Sequence, residues 1–258
     1  MTMKLFELTN SLPETVIDHG VTFSDTLSRR IDDAPWDQIE AKLTTQTHAL
    51  LPRLLSEAEC DRVRGLYETG QFRSRVVMER YAFGRGEYKY FSYPLPDTVR
   101  ELRARLYVHL APIANRWHRA MNLDERFPAT HDEFLAVCDT AGQRRPTPLM
   151  LRYSADDYCC LHQDLYGDHV FPFQVVFLLS EPGTDFTGGE LLLTETAAKK
   201  KGLVDVVPLR KGQAVIVPVN FRPIPTMRGA YRANVRHGVS KLRSGARNTL
   251  GIIFHDAS

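Results

Sequence analysis

Apolar positions along this chain follow two rhythms. Across residues 97–121, Val99, Leu102, Leu106, Leu110, Ile113 and Trp117 recur at three- and four-residue steps, the spacing of one helix face. Pro112 falls inside that stretch and strains it, because proline has no N–H to give the preceding turn. Two further helices are marked by their starts. Ser56 with Glu59, ahead of residues 63–67, and Thr130 with Glu133, ahead of Phe134, Leu135 and Val137, have the capping-box spacing. In that motif two side chains close the first turn reciprocally. Gly65 works against the first of these helices. Between the first two helices, residues 76–91 read as two strands joined through Gly84-Arg85-Gly86.

From about Leu149 the character changes. Residues 149–154, 173–179, 190–194, 203–209, 213–219, 233–241 and 248–255 are short runs rich in Val, Ile, Phe and Leu, parted by Gly, Pro, Asp and Ser turns. Short strands in succession without helices between them predict a sandwich or barrel, not a parallel βαβ sheet. No repeat, low-complexity tract or linker divides the chain. The expectation is one structural unit in two parts, mostly β with α: an N-terminal helical and β-ribbon region, residues 1–148, packed on a β core, residues 149–258.

At 258 residues, 43% hydrophobic and 25% charged, the chain can bury a sizeable core without disulfides or structural metal. No apolar run approaches the ~20 residues of a membrane helix. The opening Met1-Thr2-Met3-Lys4-Leu5-Phe6-Glu7-Leu8 lacks the basic-then-apolar order of a secretory signal, so a cytoplasmic protein with no membrane partner is expected. Cys60, Cys138, Cys159 and Cys160 contain no C-x-x-C pair and suit small, half-buried thiols in a reducing compartment. The net charge of +2 conceals an asymmetry. From Lys199 to Arg247 twelve Lys and Arg face one acid, Asp205, whereas residues 1–198 carry −8. A basic half points to an anionic ligand or partner; solvated strand positions and a turn at Lys199-Lys200-Lys201 give the same count.

Candidate chemistry centres on His162-Gln163-Asp164, with His237 seventy-three residues on and Arg247 ten beyond that. On an extended segment residues i and i+2 point the same way, so His162 and Asp164 present an imidazole and a carboxylate to one metal. His237 falls in a later strand run that a jelly roll brings beside that pair. Two histidines and a carboxylate on one face of a metal leave positions open for a cosubstrate and dioxygen, the arrangement of non-haem Fe(II) oxygenases. Arg247 and Thr249, two apart on a strand, share a face, and a guanidinium fork with a hydroxyl suits a carboxylate. An H-x-D triplet by itself is common, and unrelated surface residues on a sandwich are the plain alternative. Gly188-Gly189-Glu190-Leu191 between the ligands and the β-rich context weigh against it.

These same residues carry a resemblance. Through Leu151-Arg152-Tyr153, His162-Gln163-Asp164, Gly188-Gly189-Glu190-Leu191, His237 and Arg247-Asn248-Thr249, residues 149–255 resemble the Fe(II)- and 2-oxoglutarate-dependent dioxygenases, in particular the prolyl-hydroxylase-like branch. More narrowly, residues 157–166, 185–190, 236–240 and 249–256 are similar to a bacterial oxygenase family described as acting on damaged DNA, a similarity that reaches upstream to residues 84–90. The resemblance implies a double-stranded β-helix (jelly roll) core with an N-terminal helical layer. It implies Fe(II) on His162, Asp164 and His237, dioxygen, and 2-oxoglutarate with its distal carboxylate on Arg247 and Thr249 and a further bond from Tyr153, for which a packed core ring with a satisfied hydroxyl is the equal alternative. Such an enzyme hydroxylates a C–H bond and releases succinate and carbon dioxide. Well-studied alkylated-DNA demethylases place a second Arg six residues after the cosubstrate Arg. Here that position is Ile253, so the substrate side of the likeness lacks that mark.

Three readings of function follow: oxidative dealkylation of damaged nucleic acid; hydroxylation of a protein, peptide or small molecule; and a non-catalytic β-barrel that binds metal or ligand. Residues 85–91, with Tyr88 and Tyr90, make either a stacking platform for a flipped base or an ordinary two-stranded ribbon. His169, five residues after Asp164, is an alternative ligand or, as such a residue more often is, a partly exposed loop side chain. His255 shares strand parity with Arg247 and is expected as a hydrogen-bonded core side chain. Arg152 and Arg236 have the opposite parity from Tyr153 and His237 and turn to solvent or the second sheet, and Trp117 belongs to the helix core.

Overall fold

The computed structural model describes residues 23–197, 200–227 and 229–258. Two antiparallel sheets carry the molecule. The larger runs in the order β1 (Ala49–Leu51), β11 (Ala214–Pro218), β7 (Phe173–Leu178), β14 (Leu242–Ile253), β5 (Leu149–Ser154), β4 (Glu87–Phe91) and β2 (Phe72–Val77), with β8 (Phe186–Gly188) on the early part of β14. The smaller runs β10 (Lys200–Val207), β9 (Leu191–Ala197), β13 (Gly229–Val239), β6 (Tyr158–His162) and β3 (Gly84–Arg85), with β12 (Phe221–Thr226) also paired to β13. Together they form the double-stranded β-helix. Among the described residues five helices accompany them: α1 (Phe23–Asp32), α2 (Trp36–Thr45), α3 (Glu57–Thr69), α4 (Asp97–Ala120) and α5 (His131–Thr140). Among the described residues no helix is long and apolar enough to cross a membrane.

Two-residue alternation in the larger sheet decides what lies on each side of it. In β7, Phe173, Val175 and Phe177 join a core shared with the helices, while Val176 and Leu178 join the core between the sheets. β14 repeats the rule: Leu250 and Ile252 belong to the helix-side core, and Arg247, Thr249 and Gly251 line the interior. α4 supplies most of the outer layer. Its Trp117 ring lies 4.5 Å from Phe173, and Tyr107 packs among Phe134, Phe171 and Phe254. Arg103, buried on the same helix, donates to the carbonyls of Ile253 and Phe254 and pairs with Asp256 at 2.7 Å, which fastens the chain leaving β14. Pro112 is exposed, so the 24-residue helix runs through it with the missing hydrogen bond on the wet side.

Both capping boxes form as their spacing predicts, at Ser56/Glu59 and Thr130/Glu133. Residues 76–91 depart from a plain hairpin. β2 does pair with β4, but a 3-10 turn (Met78–Tyr81) and β3 intervene, and β3 pairs with β6 in the smaller sheet. This segment therefore ties an edge of one sheet to an edge of the other. β1, β2 and β4 precede residue 149, yet β1 bonds to β11 and β4 to β5, so the two regions share a sheet. Lys200 and Lys201 open β10 instead of turning. Lys199 and the opening residues 1–22 lie outside the described residues.

Candidate metal centre

β6 and β13 run antiparallel, and their register sets His162 directly opposite His237. Gly238 permits the approach: a β-carbon there would come within 2.7 Å of the Cys159 carbonyl oxygen. Beyond the end of β6 the Gln163 side chain reaches across, its amide nitrogen 3.0 Å from the Asn220 carbonyl, 2.8 Å from Asn234 Oδ1 and 2.9 Å from the Val235 carbonyl. That clamp fastens the triplet to the strand carrying His237 and leaves Asp164 facing both imidazoles. His162 Nε2 lies 3.5 Å from Asp164 Oδ1, His237 Nε2 lies 3.2 Å from Oδ2, and the two rings are 4.2 Å apart. One donor atom from each residue lies within 4.8 Å of the others, and no other such cluster of His, Cys, Asp or Glu occurs among the described residues.

Neighbouring groups aim these donors. His162 Nδ1–H donates to the Cys160 carbonyl at 2.9 Å, which leaves Nε2 for the centre. The Tyr166 hydroxyl donates to Asp164 Oδ1 at 2.6 Å and accepts from the Tyr90 hydroxyl at 2.9 Å. The Gln174 amide lies 3.2 Å from His237 Nε2. Burial opposes charge on Asp164, but the two imidazoles hold its carboxyl well below the usual range. Burial also opposes charge on His162, where Asp164 and Cys159 prevail and push the imidazole up to about 11. His237 is lowered by burial and by His162. The carboxylate is thus balanced by a proton that a metal cation would displace. Two imidazole nitrogens and one carboxylate fit a single Fe(II), with the remaining positions open to the adjoining cavity.

That cavity, of about 310 Å³, holds every residue singled out for the cosubstrate as well. Arg247 and Thr249 line it from β14, and Tyr153 stands opposite Arg247 on β5, its ring 5.7 Å from the guanidinium carbon. Arg247 is 2% exposed, burial lowers its pKa, and it makes no hydrogen bond or ion pair with any described residue. A buried guanidinium without a counter-charge is costly unless a ligand supplies one. Apart from Arg247 and the triad, the lining carries no charged side chain. Phe83, Tyr88, Tyr90 and Tyr166 form an aromatic wall, with Met78 beside them.

Other candidates fall elsewhere. His169 pairs with Glu125 at 2.9 Å, away from the triad. His255 is fully buried, and its Nδ1 accepts from the Phe171 N–H, but its Nε2 has no partner, so only half of the expected bonding is present. Arg236 is exposed, and Arg152 meets Glu68 and Glu87. Part of the basic half is neutralised in three dimensions: Arg210 meets Glu181, Lys211 meets Asp61, Arg222 meets Glu195 and Lys241 meets Asp156. Arg232, Arg236 and Arg243 are exposed without an ion pair among the described residues, and Arg228 lies outside them. Sequence reasoning overlooked Gln163, Gln174 and Tyr166 as supports of the centre. Tyr166 was accessible to it, because residue i+2 from Asp164 repeats the spacing that selected His162.

Residues 86–257 match the Oxygenase-NA family model, described as "Oxygenase, catalysing oxidative methylation of damaged DNA". The uncharacterized protein Rv2227 of Mycobacterium tuberculosis is 44% identical over 168 residues, 65% of this chain and 72% of the relative. Among solved structures, an oxidoreductase of the 2OG-Fe(II) oxygenase family from Burkholderia pseudomallei is similar with a TM-score of 0.52 at 16% identity, over 87% of this chain and 94% of its own. A prolyl 4-hydroxylase from Phytophthora capsici is similar with a TM-score of 0.50 at 13% identity, over 96% of this chain and 70% of its own. At these identities the structural likenesses show the fold.

Proposed function

The chain belongs to the Oxygenase-NA family, and we propose that it is an Fe(II)- and 2-oxoglutarate-dependent oxygenase that removes an N-alkyl group from a damaged nucleic-acid base. The observation that carries the cofactor reading is the meeting, in one cavity, of a His-Asp-His triad with a buried guanidinium lacking an acceptor among the described residues. His162, Asp164 and His237 would hold the iron, which when bound supplies the oxygen chemistry that hydroxylates a C–H bond while 2-oxoglutarate becomes succinate and carbon dioxide.

This chain's residues do the rest. Arg247 grips the distal carboxylate as a fork and Thr249 adds a hydroxyl donor, with Tyr153 packed beside them. Tyr166 fixes the Asp164 carboxylate. The aromatic wall excludes water and receives an uncharged, flat group by stacking. Hydroxylation of an N-methyl gives N–CH2OH, which collapses to N–H and formaldehyde, so the methyl is removed. The free cysteines support a reducing, cytoplasmic setting.

The ion pairs of Arg210, Lys211, Arg222 and Lys241 favour a second reading, hydroxylation of a peptide or small molecule, because they leave fewer cations of that half to meet phosphates. Incubation in air with Fe(II), 2-oxoglutarate and a methylated single-stranded oligonucleotide separates them. Equal release of succinate and formaldehyde is expected. Succinate without formaldehyde, stimulated by peptides or amino acids, would replace dealkylation with hydroxylation; no succinate with any of them would leave a non-catalytic barrel.

A further inference from the structure

A second cavity, of about 380 Å³, meets the first at two residues, Leu191 and Arg247. Its walls are mostly apolar, from Leu178, Phe186, Val207 and Leu209, and its lining reaches the exposed Thr187 and Pro208. Arg210, which is paired with Glu181, and Glu190 add one charge of each sign to the lining. The Gly188-Gly189 turn keeps space beside the guanidinium: a β-carbon on Gly189 would stand 3.1 Å from Arg247 Cδ and 2.4 Å from Leu242 Cδ1. The Arg247 side chain is therefore a partition, with the triad in the cavity on one side and a separate cavity on the other.

A guanidinium carries five N–H donors, and a carboxylate gripped as a fork takes two. Arg247 spends none on any described residue, so donors remain for a partner on its far side. The front cavity must also admit the group to be oxidised, whose bulk then covers it, while a dicarboxylate is consumed and another formed at every turnover. We propose that the rear cavity is the passage by which 2-oxoglutarate reaches Arg247 and succinate leaves. Arg247 hands each carboxylate between the two cavities, so cosubstrate exchange is independent of the primary substrate. This rests on the 2-oxoglutarate reading of the site.

The test uses the full chain loaded with Fe(II) without oxygen, where the visible charge-transfer absorption of a 2-oxo acid chelated to Fe(II) reports binding in a stopped-flow mixer. Thr187→Trp and Pro208→Phe place bulk at exposed positions of the rear lining. A blocked route slows association and dissociation by the same factor and leaves Kd unchanged. Both variants are expected to slow both rates by about tenfold, the effect of ~1.4 kcal/mol of added barrier. Val108→Trp, exposed on α4 and outside both linings, should leave the rates unaltered. Wild-type rates in both rear variants, or a weakened Kd with unaltered association, overturn the proposal. Absence of the absorption in the wild type brings down the cosubstrate reading itself, and this proposal with it.

Discussion

Replacing Tyr166 with Phe removes one oxygen from the interior and leaves the ring in place. That oxygen donates to Asp164 Oδ1 at 2.6 Å and accepts from the Tyr90 hydroxyl at 2.9 Å. Asp164 then loses the donor that fixes its carboxylate, an interaction with a charged acceptor worth about 1.5–3 kcal/mol. Orientation of a metal ligand by its neighbours typically contributes about 10–100-fold in affinity, which is the same range expressed as binding. Titration with Mn(II), which occupies such a site without redox chemistry, should therefore give Kd weakened by about 10–100-fold in Tyr166→Phe. Tyr90→Phe removes only the outer link, so its effect should be smaller. The double variant should bind no more weakly than Tyr166→Phe alone, because Tyr90 acts through Tyr166. Unaltered Mn(II) affinity in a folded Tyr166→Phe protein, or a larger effect from Tyr90→Phe, refutes the reasoning.

His162→Ala and Asp164→Ala should abolish Mn(II) binding while circular dichroism stays that of the wild type, since a catalytic metal need not carry folding energy. Arg247→Lys keeps the charge but loses the fork, so 2-oxoglutarate affinity should fall, and fall further in Arg247→Ala, by equilibrium titration. Arg103→Ala strands the buried Asp256 carboxylate and should cost about 3–5 kcal/mol in urea unfolding. Glu87 is opposed by burial, but Tyr67, Arg75 and Arg152 hold its carboxyl down to about 2 from an ordinary 4.5. Its contribution is complete above about pH 4.5 and is lost as pH falls through 2, so the stability gap between wild type and Glu87→Gln should narrow over that interval.

The β core was legible because its strands are short apolar runs: residues 149–154 coincide with β5, and residues 173–179 and 213–219 contain β7 and β11. β6 escaped because Tyr158, Cys160 and Leu161 face outward, leaving no apolar run, and β12 because Pro223 and Pro225 read as breakers although β12 pairs only with β13. α1 and α2 carry no capping-box spacing, and α2 has no side-chain cap. Within the site, two-residue parity placed Arg247 and Thr249 in the interior, whereas the meeting of His162 with His237 depends on a register that no local pattern encodes. The charge asymmetry overstates the free positive charge for a related reason. A count along the chain does not know that Glu181, Asp61, Glu195 and Asp156 come to meet four of those cations.

The central claim is that one iron and one 2-oxoglutarate share the cavity between His162, Asp164, His237 and Arg247. It is tested most directly by anaerobic titration of the Fe(II)-loaded chain with 2-oxoglutarate, following the visible charge-transfer absorption of the chelate. One equivalent of iron and one of 2-oxoglutarate per chain should saturate it in the wild type. It should be absent from Asp164→Ala and demand far more 2-oxoglutarate in Arg247→Ala. No absorption in the folded wild type, or an undiminished one in Asp164→Ala, contradicts the claim.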